Sequence, residues 1–149
     1  MMASDEPAVL EVVAELSDWF DDEARNRSIP IDLKHHKTFV ADDGHDVVGF
    51  ITLHVYHGRL DISWMGVRNK YRGKGIGTQL LHRAEELGRA WGLEEITAFT
   101  LGDTIDFRPY ESTRRFYTKN GFELYQRNQT DNPSCPEEWR LKKRITQPR

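Results

Sequence analysis

Cysteine is all but missing from these 149 residues: Cys135 stands alone. That excludes an internal disulfide and a thiolate metal cluster. Cys135 sits in the polar turn Asn132-Pro133-Ser134-Cys135-Pro136, with no base beside it to make it a nucleophile. Long apolar runs are also absent; none approaches the ~20 residues that span a bilayer. The first residues, Met-Met-Ala-Ser-Asp-Glu-Pro, lack the basic and apolar regions of a signal peptide. A cytoplasmic location with no membrane partner is expected. Nor is there a basic excess: Lys and Arg total 21 against 24 Asp and Glu, for a formal net charge of -3. With a sequence pI of about 6.1, no nucleic-acid partner is expected. Repeats, linkers and low-complexity tracts are lacking too. Hydrophobic residues at 38% and charged residues at 30% indicate one globular domain over residues 1–149.

What is present is concentrated in Arg72-Gly73-Lys74-Gly75-Ile76-Gly77-Thr78, between a strand-like run and a strongly amphipathic helix. The glycines let a tight turn aim successive backbone N–H groups at one point. The first helical turn adds unpaired donors and the positive end of its dipole. The result is an anion cradle. A plain strand-to-helix turn would explain the glycines but not Arg68, Lys70, Arg72 and Lys74, which gather positive charge around it in a net-negative chain. Spacing rules out two other phosphate loops. A Walker A register counted from Gly73 falls on Thr78 and Gln79, and a dinucleotide fingerprint from Gly73 and Gly75 also reaches Thr78 where Gly or Ala is required.

Periodicity places the elements. Val9, Val12, Val13, Leu16 and Phe20 recur at helical spacing after a Ser4/Asp5 cap region with Pro7 near the first turn, predicting a helix over 6–21. The polar stretch 21–37 is open between a loop and a second short helix. Strands are predicted at 38–42 and 46–56, joined by an Asp43-Gly44 turn, and at 59–67 after a His57-Gly58 turn. A helix over 75–91 buries Ile76, Leu80, Leu81, Ala84, Leu87 and Trp91, with Gly92 just past its end, and a strand at 95–100 completes a βαβ unit. A right-handed crossover sets the glycine loop at the carboxyl ends of the two parallel strands, where ligands bind. A helix over 110–119 closes with Asn120-Gly121, and strands at 122–127 and 139–144 follow.

The run LDISWMGVRNKYRGKGIG from Leu60 to Gly77 carries an R-x-x-G-x-G/A pattern, and Arg114-Arg115-Phe116-Tyr117-Thr118-Lys119-Asn120-Gly121-Phe122 follows in the same order as a later F-Y-x-x-x-G-F signature. In both the chain resembles the GNAT superfamily of acetyl-CoA-dependent N-acetyltransferases, closely from Phe39 to Phe122. The resemblance implies a mixed α/β (α+β) fold, a mostly antiparallel sheet with splayed parallel central strands flanked by helices. It also implies acetyl-CoA as cosubstrate, held by Arg72, Gly73, Lys74, Gly75, Ile76, Gly77 and Thr78. Backbone groups of Met65, Gly66 and Val67 would take the pantetheine arm and polarise the thioester carbonyl. Tyr117 falls where the family places the phenol that protonates the departing thiolate, and a phenol of pKa ~10 can serve a thiol of pKa ~8.5. Two positions depart from the family: Tyr110 stands where Asn is common, and Thr113 where a small residue is.

The general base is less defined. The strand positions where the family often carries an acid match Ser63 and Trp64. Asp61, expected on the same strand face as Ser63 and Met65, is the candidate, with His54 as the alternative. His35, His36, His54 and His57 show no spacing that completes a metal site, so no metal is expected. Arg140, Lys142, Lys143, Arg144 and Arg149 alternate along what is expected to be a solvated edge strand. Trp139 and Leu141, with Trp64, would form an apolar patch suited to a homodimer. Asp18, Asp21, Asp22, Glu23, Asp42, Asp43 and Asp46 would favour a cationic small-molecule amine or a protein or peptide lysine as acceptor. A non-catalytic acyl-CoA-binding module that keeps the cradle without turnover is the alternative function.

Overall fold

The computed structural model describes residues 5–101, 108–131 and 137–145, so Ser4, Cys135 and Arg149 lie outside the described residues, as does the side chain of Tyr110. Its strands are β1 (Lys37–Asp42), β2 (Val47–Tyr56), β3 (Arg59–Val67), β4 (Glu95–Leu101), β5 (Glu123–Gln129) and β6 (Glu137–Arg144). The α-helices are α1 (Glu6–Glu15), α2 (Ile29–His35), α3 (Ile76–Ala90) and α4 (Arg108–Lys119). One mixed sheet runs β1-β2-β3-β4-β6-β5, antiparallel throughout except for the parallel pair β3/β4.

Each face of the sheet has its own apolar layer. On one, Leu80, Leu81 and Ala84 of α3 pack with Tyr117 and Phe122 onto Ile51, Leu53, Leu60 and Ile62. On the other, Val9, Val12, Val13 and Leu16 of α1, with Ile29 and Leu33 of α2, cover Val47 and Phe50. Gly66 marks the closest approach of that second layer: a Cβ there would lie 2.7 Å from Leu16 Cδ1. Only a residue without a side chain lets this end of α1 sit directly on β3.

Three elements differ from their sequence-based expectations. Helix α1 ends at Glu15, and Trp19 and Phe20 donate backbone N–H bonds to the Leu16 carbonyl at 3.0 and 3.1 Å. The apolar period therefore persists to Phe20 in tight backbone turns rather than in regular helix. The open segment 21–37 is helical. Asp21 Oδ1 accepts the Ala24 N–H at 2.8 Å as an N-cap, and a π-turn, Ala24–Ser28, leads into α2. Pro30 lacks an N–H and its ring clashes with the carbonyl four residues back, so a wider turn immediately before it is the physical response. Finally, β6 is an interior strand, paired with β4 and β5. Because β4 and β5 run in the same direction, the strand between them must return antiparallel. The expected basic edge is thus a paired strand: Lys142 faces Glu95 at 3.9 Å, Lys143 faces Glu85 at 2.6 Å and Arg140 faces Glu138 at 2.9 Å.

One irregularity reorders a whole strand face. Leu53 pairs with Ile62, but Thr52 pairs with Trp64, so Ser63 is an extra residue in a β-bulge. Leu60, Ile62, Met65 and Val67 consequently share the α3 side, whereas Trp64 and Gly66 meet the α1 layer. The expectation that Asp61 and Met65 share a face is corrected, because a bulge advances the side-chain alternation by one.

Candidate active site

Strands β3 and β4 pair only at Leu60 with Ile96 and Asp61 with Thr97. Beyond that rung they part, leaving the β4 side of residues 62–67 without a strand partner. A cavity of about 350 Å³ begins in this region. Met65, Gly66 and Val67 line one wall, Ser112, Thr113, Phe116 and Tyr117 of α4 another, and the glycine loop closes the end. Arg72, Gly73, Gly75, Ile76, Gly77 and Thr78 all line it; Lys74 and Asp61 do not. Lys74 instead lies 5.5 Å from the Tyr71 ring centroid.

The loop's geometry follows from its glycines. Gly73 and Gly75 have φ of +75° and +82°, and Gly75 is the N-cap of α3. No side chain caps this helix, and among the described residues the backbone N–H groups of residues 73–78 have no hydrogen-bond partner. The donors are oriented and unspent at the cavity's end. Gly77 has a different role from the one its motif position suggests. Its added Cβ would lie 2.9 Å from Phe116 Cε2, so this glycine lets α3 and α4 touch. Thr78 reinforces the contact, donating to Asn120 Oδ1 at 3.3 Å.

The four cations around the loop divide. Arg68 is turned away: its Nε donates to the Val47 carbonyl at 3.1 Å, and its guanidinium faces Glu11 and Glu15 at 3.7 and 3.6 Å. Arg72 stacks 3.9 Å over the Trp19 ring centroid, a cation–π contact that keeps its charge at the cavity. Partial desolvation lowers its pKa from 12.5, which leaves it a cation at physiological pH.

Tyr117 is 6% exposed, its ring held between Phe116 and Phe122 with centroids 5.4 and 5.1 Å away. Burial, and secondarily the negative charge of Asp61, pushes the phenol pKa well above 10. It therefore stays protonated across the physiological range. Asp61 is 7% exposed; burial raises its pKa from 3.8 against the opposing bond donated by Thr97 Oγ1 at 2.7 Å.

On the Asp61 face the structure gathers residues that the sequence left apart. His54 and His36 stack at 4.6 Å, and Ser63 Oγ lies 2.7 Å from His54 Nδ1 and 2.9 Å from His36 Nδ1. Trp64 Nε1 donates to Asp32 Oδ2 at 2.7 Å. Asp32 and His36, four apart on a helical stretch, were a readable pair, and Ser63 keeps the side of Asp61 expected of it; what the sequence did not show is that α2 and β2 bring His36 and His54 to its hydroxyl. Of the seven acidic residues expected to attract an acceptor, five are engaged locally. Asp21 caps a helix, Asp22 pairs with Arg25, Glu23 faces Arg27, and Asp42 and Asp43 accept backbone bonds in the β1–β2 turn. The expected apolar patch is dispersed as well. Leu141 is buried, Trp64 packs edge-on to Phe20, and Trp139 lies beneath Arg114 and Arg127.

Residues 34–124 match the acetyltransferase (GNAT) domain. No curated protein sequence matches the chain. Solved structures share its fold. A GNAT-family protein from Desulfovibrio desulfuricans is 22% identical with a TM-score of 0.82, covering 97% of this chain and 95% of its own. Ard1 from Thermoplasma volcanium is 17% identical with a TM-score of 0.77, over 99% and 95% of the two chains. A GNAT acetyltransferase from Elizabethkingia anophelis, solved with acetyl-CoA bound, is 16% identical with a TM-score of 0.69, over 80% and 83%. With the domain match spanning more than half of its length, the chain belongs to the GNAT family of acetyltransferases.

Proposed function

We propose that this protein moves the acetyl group of acetyl-CoA to a primary amine by direct attack, with Tyr117 as general acid. The observation that carries this reading is the continuity of one cavity from an unspent anion cradle, past a free strand edge, to a buried protonated phenol. A pyrophosphate suits the N–H groups of residues 73–78 with the Arg72 charge beside them. The amides of a pantetheine arm suit the β4 side of residues 62–67, which has no strand partner. A backbone N–H at Met65, Gly66 or Val67 would polarise the acetyl carbonyl.

The acid and base are coupled. The negative charge of Asp61 helps to hold the Tyr117 pKa up. A proton taken up on the Asp61 side removes that charge, lowers the phenol pKa, and makes Tyr117 a better donor as the thiolate departs. The acceptor would approach from the sheet face that carries Asp61 and Asp32, and two carboxylates there favour an amine that arrives as a cation. Release of free thiol from acetyl-CoA, measured across primary amines and lysine peptides, tests the proposal. Tight coenzyme A binding without thiol release on any amine would make the chain an acyl-CoA-binding module and overturn it.

A further inference from the structure

The two histidines and the serine on the Asp61 face contain more information than their proximity. Ser63 Oγ contacts both Nδ1 atoms, of His54 at 2.7 Å and of His36 at 2.9 Å, and each far nitrogen faces a carboxylate. His36 Nε2 is 3.8 Å from Asp32 Oδ1, and His54 Nε2 is 3.6 Å from Asp61 Oδ2. A hydroxyl has one hydrogen. It can donate to only one Nδ1, so with both rings neutral the other Nδ1 must carry a hydrogen and donate to it.

The carboxylates decide which. The Asp61 side chain is 10% exposed and that of Asp32 27%, so the ionised form is less costly at Asp32, which also accepts the Trp64 indole. An ionised Asp32 calls for an N–H on His36 Nε2. That leaves His36 Nδ1 bare, so it accepts from Ser63, and Ser63 must accept from His54 Nδ1–H. His54 Nε2 is then unprotonated and aimed at Asp61.

We propose that Ser63 and His36 are positioning residues that lock His54 in its Nδ1–H tautomer, so that His54 Nε2 and Asp61 act as one base for the acceptor ammonium. The inference rests on the acetyl-transfer reading above. A nitrogen lone pair facing a carboxylate at 3.6 Å gives one proton two acceptors, so the two groups take it up as a unit. Burial lowers the His36 pKa, which keeps that ring neutral, and raises the Asp61 pKa, which favours sharing a proton. The proton balance closes. When the ammonium becomes an amide, nitrogen loses two protons as its bond to the acetyl carbon forms and the carbon–sulfur bond breaks. One ends on the thiol by way of Tyr117, and the other goes to the His54–Asp61 pair, which returns it to solvent after product leaves. Other groups face this cluster: Arg140 from β6 and His36 act on Asp61, Asp32 and His35 from the α2 side act on His36, and Asp61 in turn acts on Tyr117 of α4.

The test combines imidazole nitrogen NMR near neutral pH with pH–rate profiles on the best amine, for the wild type, Ser63→Ala and Ser63→Thr. The wild type should show His54 as Nδ1–H and His36 as Nε2–H. In Ser63→Ala, His54 should revert to Nε2–H, kcat should fall about 10²-fold with KM for acetyl-CoA unchanged, and the acidic limb of the profile should move. Ser63→Thr, which keeps the hydroxyl, should restore both tautomer and rate. Nε2–H on His54 in the wild type, or an unchanged kcat and profile in folded Ser63→Ala, overturns the inference while leaving acetyl transfer standing. A wild type inactive on every amine overturns acetyl transfer itself, with the tautomers still readable in the same spectra.

Discussion

The glycine cleft and the polar group around Ser63 both depend on β3, yet they are built in different ways. The cleft is made by consecutive residues whose backbone does the work: Gly73 and Gly75 hold positive φ and α3 begins at once. The polar group is assembled from side chains of α2, β2, β3 and β4, each ordinary in its own segment. A site of the first kind is written in one motif. A site of the second kind exists only if strand register brings its members to the same face. The two should therefore fail differently when altered.

The largest effect should come from the residue that links them. Tyr117→Phe removes the phenol from the cleft but leaves the cradle, so coenzyme A affinity should hold while kcat falls by ~10²- to 10⁴-fold. Wild-type kcat in the folded variant, with chemistry rate-limiting, would reduce Tyr117 to a packing residue between Phe116 and Phe122. Next in size, Gly75→Val places a branched side chain at φ +82°, where left-handed backbone costs roughly 1–2 kcal/mol, and disturbs N–H donors worth about 1.5–3 kcal/mol each toward a charged ligand. Calorimetry should show coenzyme A binding weakened by a few kcal/mol; unchanged affinity would mean that the loop does not hold the pyrophosphate.

Gly77→Val separates packing from binding inside the same motif. Its Cβ would press on Phe116 at 2.9 Å, an overpacking that costs about 1–3 kcal/mol of stability, and Phe116→Leu on top of it should recover part of the loss. Melting temperatures that ignore the single substitution would refute the close α3–α4 contact. The smallest effect is that of pH on stability through His36. The pKa of His36 is lowered from 6.5 by burial, so the native state binds fewer protons than the unfolded chain just below that value. Its contribution to stability is complete above pH 6.5 and is lost as pH falls toward the lowered value. Asp61, raised from 3.8, acts in the opposite sense, since acidification relieves its buried charge. His36→Gln should flatten the decline in melting temperature between about pH 7 and 5. An identical decline in the variant would assign it to other groups.

The balance between what was readable and what was not follows the range of the interactions. Apolar periods located β1 to β4 and α3, and turn residues located the Asp43-Gly44 and His57-Gly58 turns, because these depend on residues a few positions apart. The segment 21–37 stayed open because its helix contains a π-turn ahead of Pro30, so Ala24, Ile29 and Leu33 do not keep one period. Arg68 looked like part of the loop's charge until α1 brought Glu11 and Glu15 to it.

By itself the sequence determined the order of the elements from β1 onward and the left-handed glycines of the loop, since local backbone preference and apolar periodicity suffice for each, while Tyr117 was singled out by the family resemblance of its motif. Tertiary structure alone decided that β6 lies inside the sheet, that Gly77 serves a helix contact, and that Asp61 faces away from Met65 with His54 and His36 beside it. The physical reason is that a one-residue bulge at Ser63 and the pairing partner of a strand are settled by contacts between distant segments, and a period-two pattern is blind to a single inserted residue.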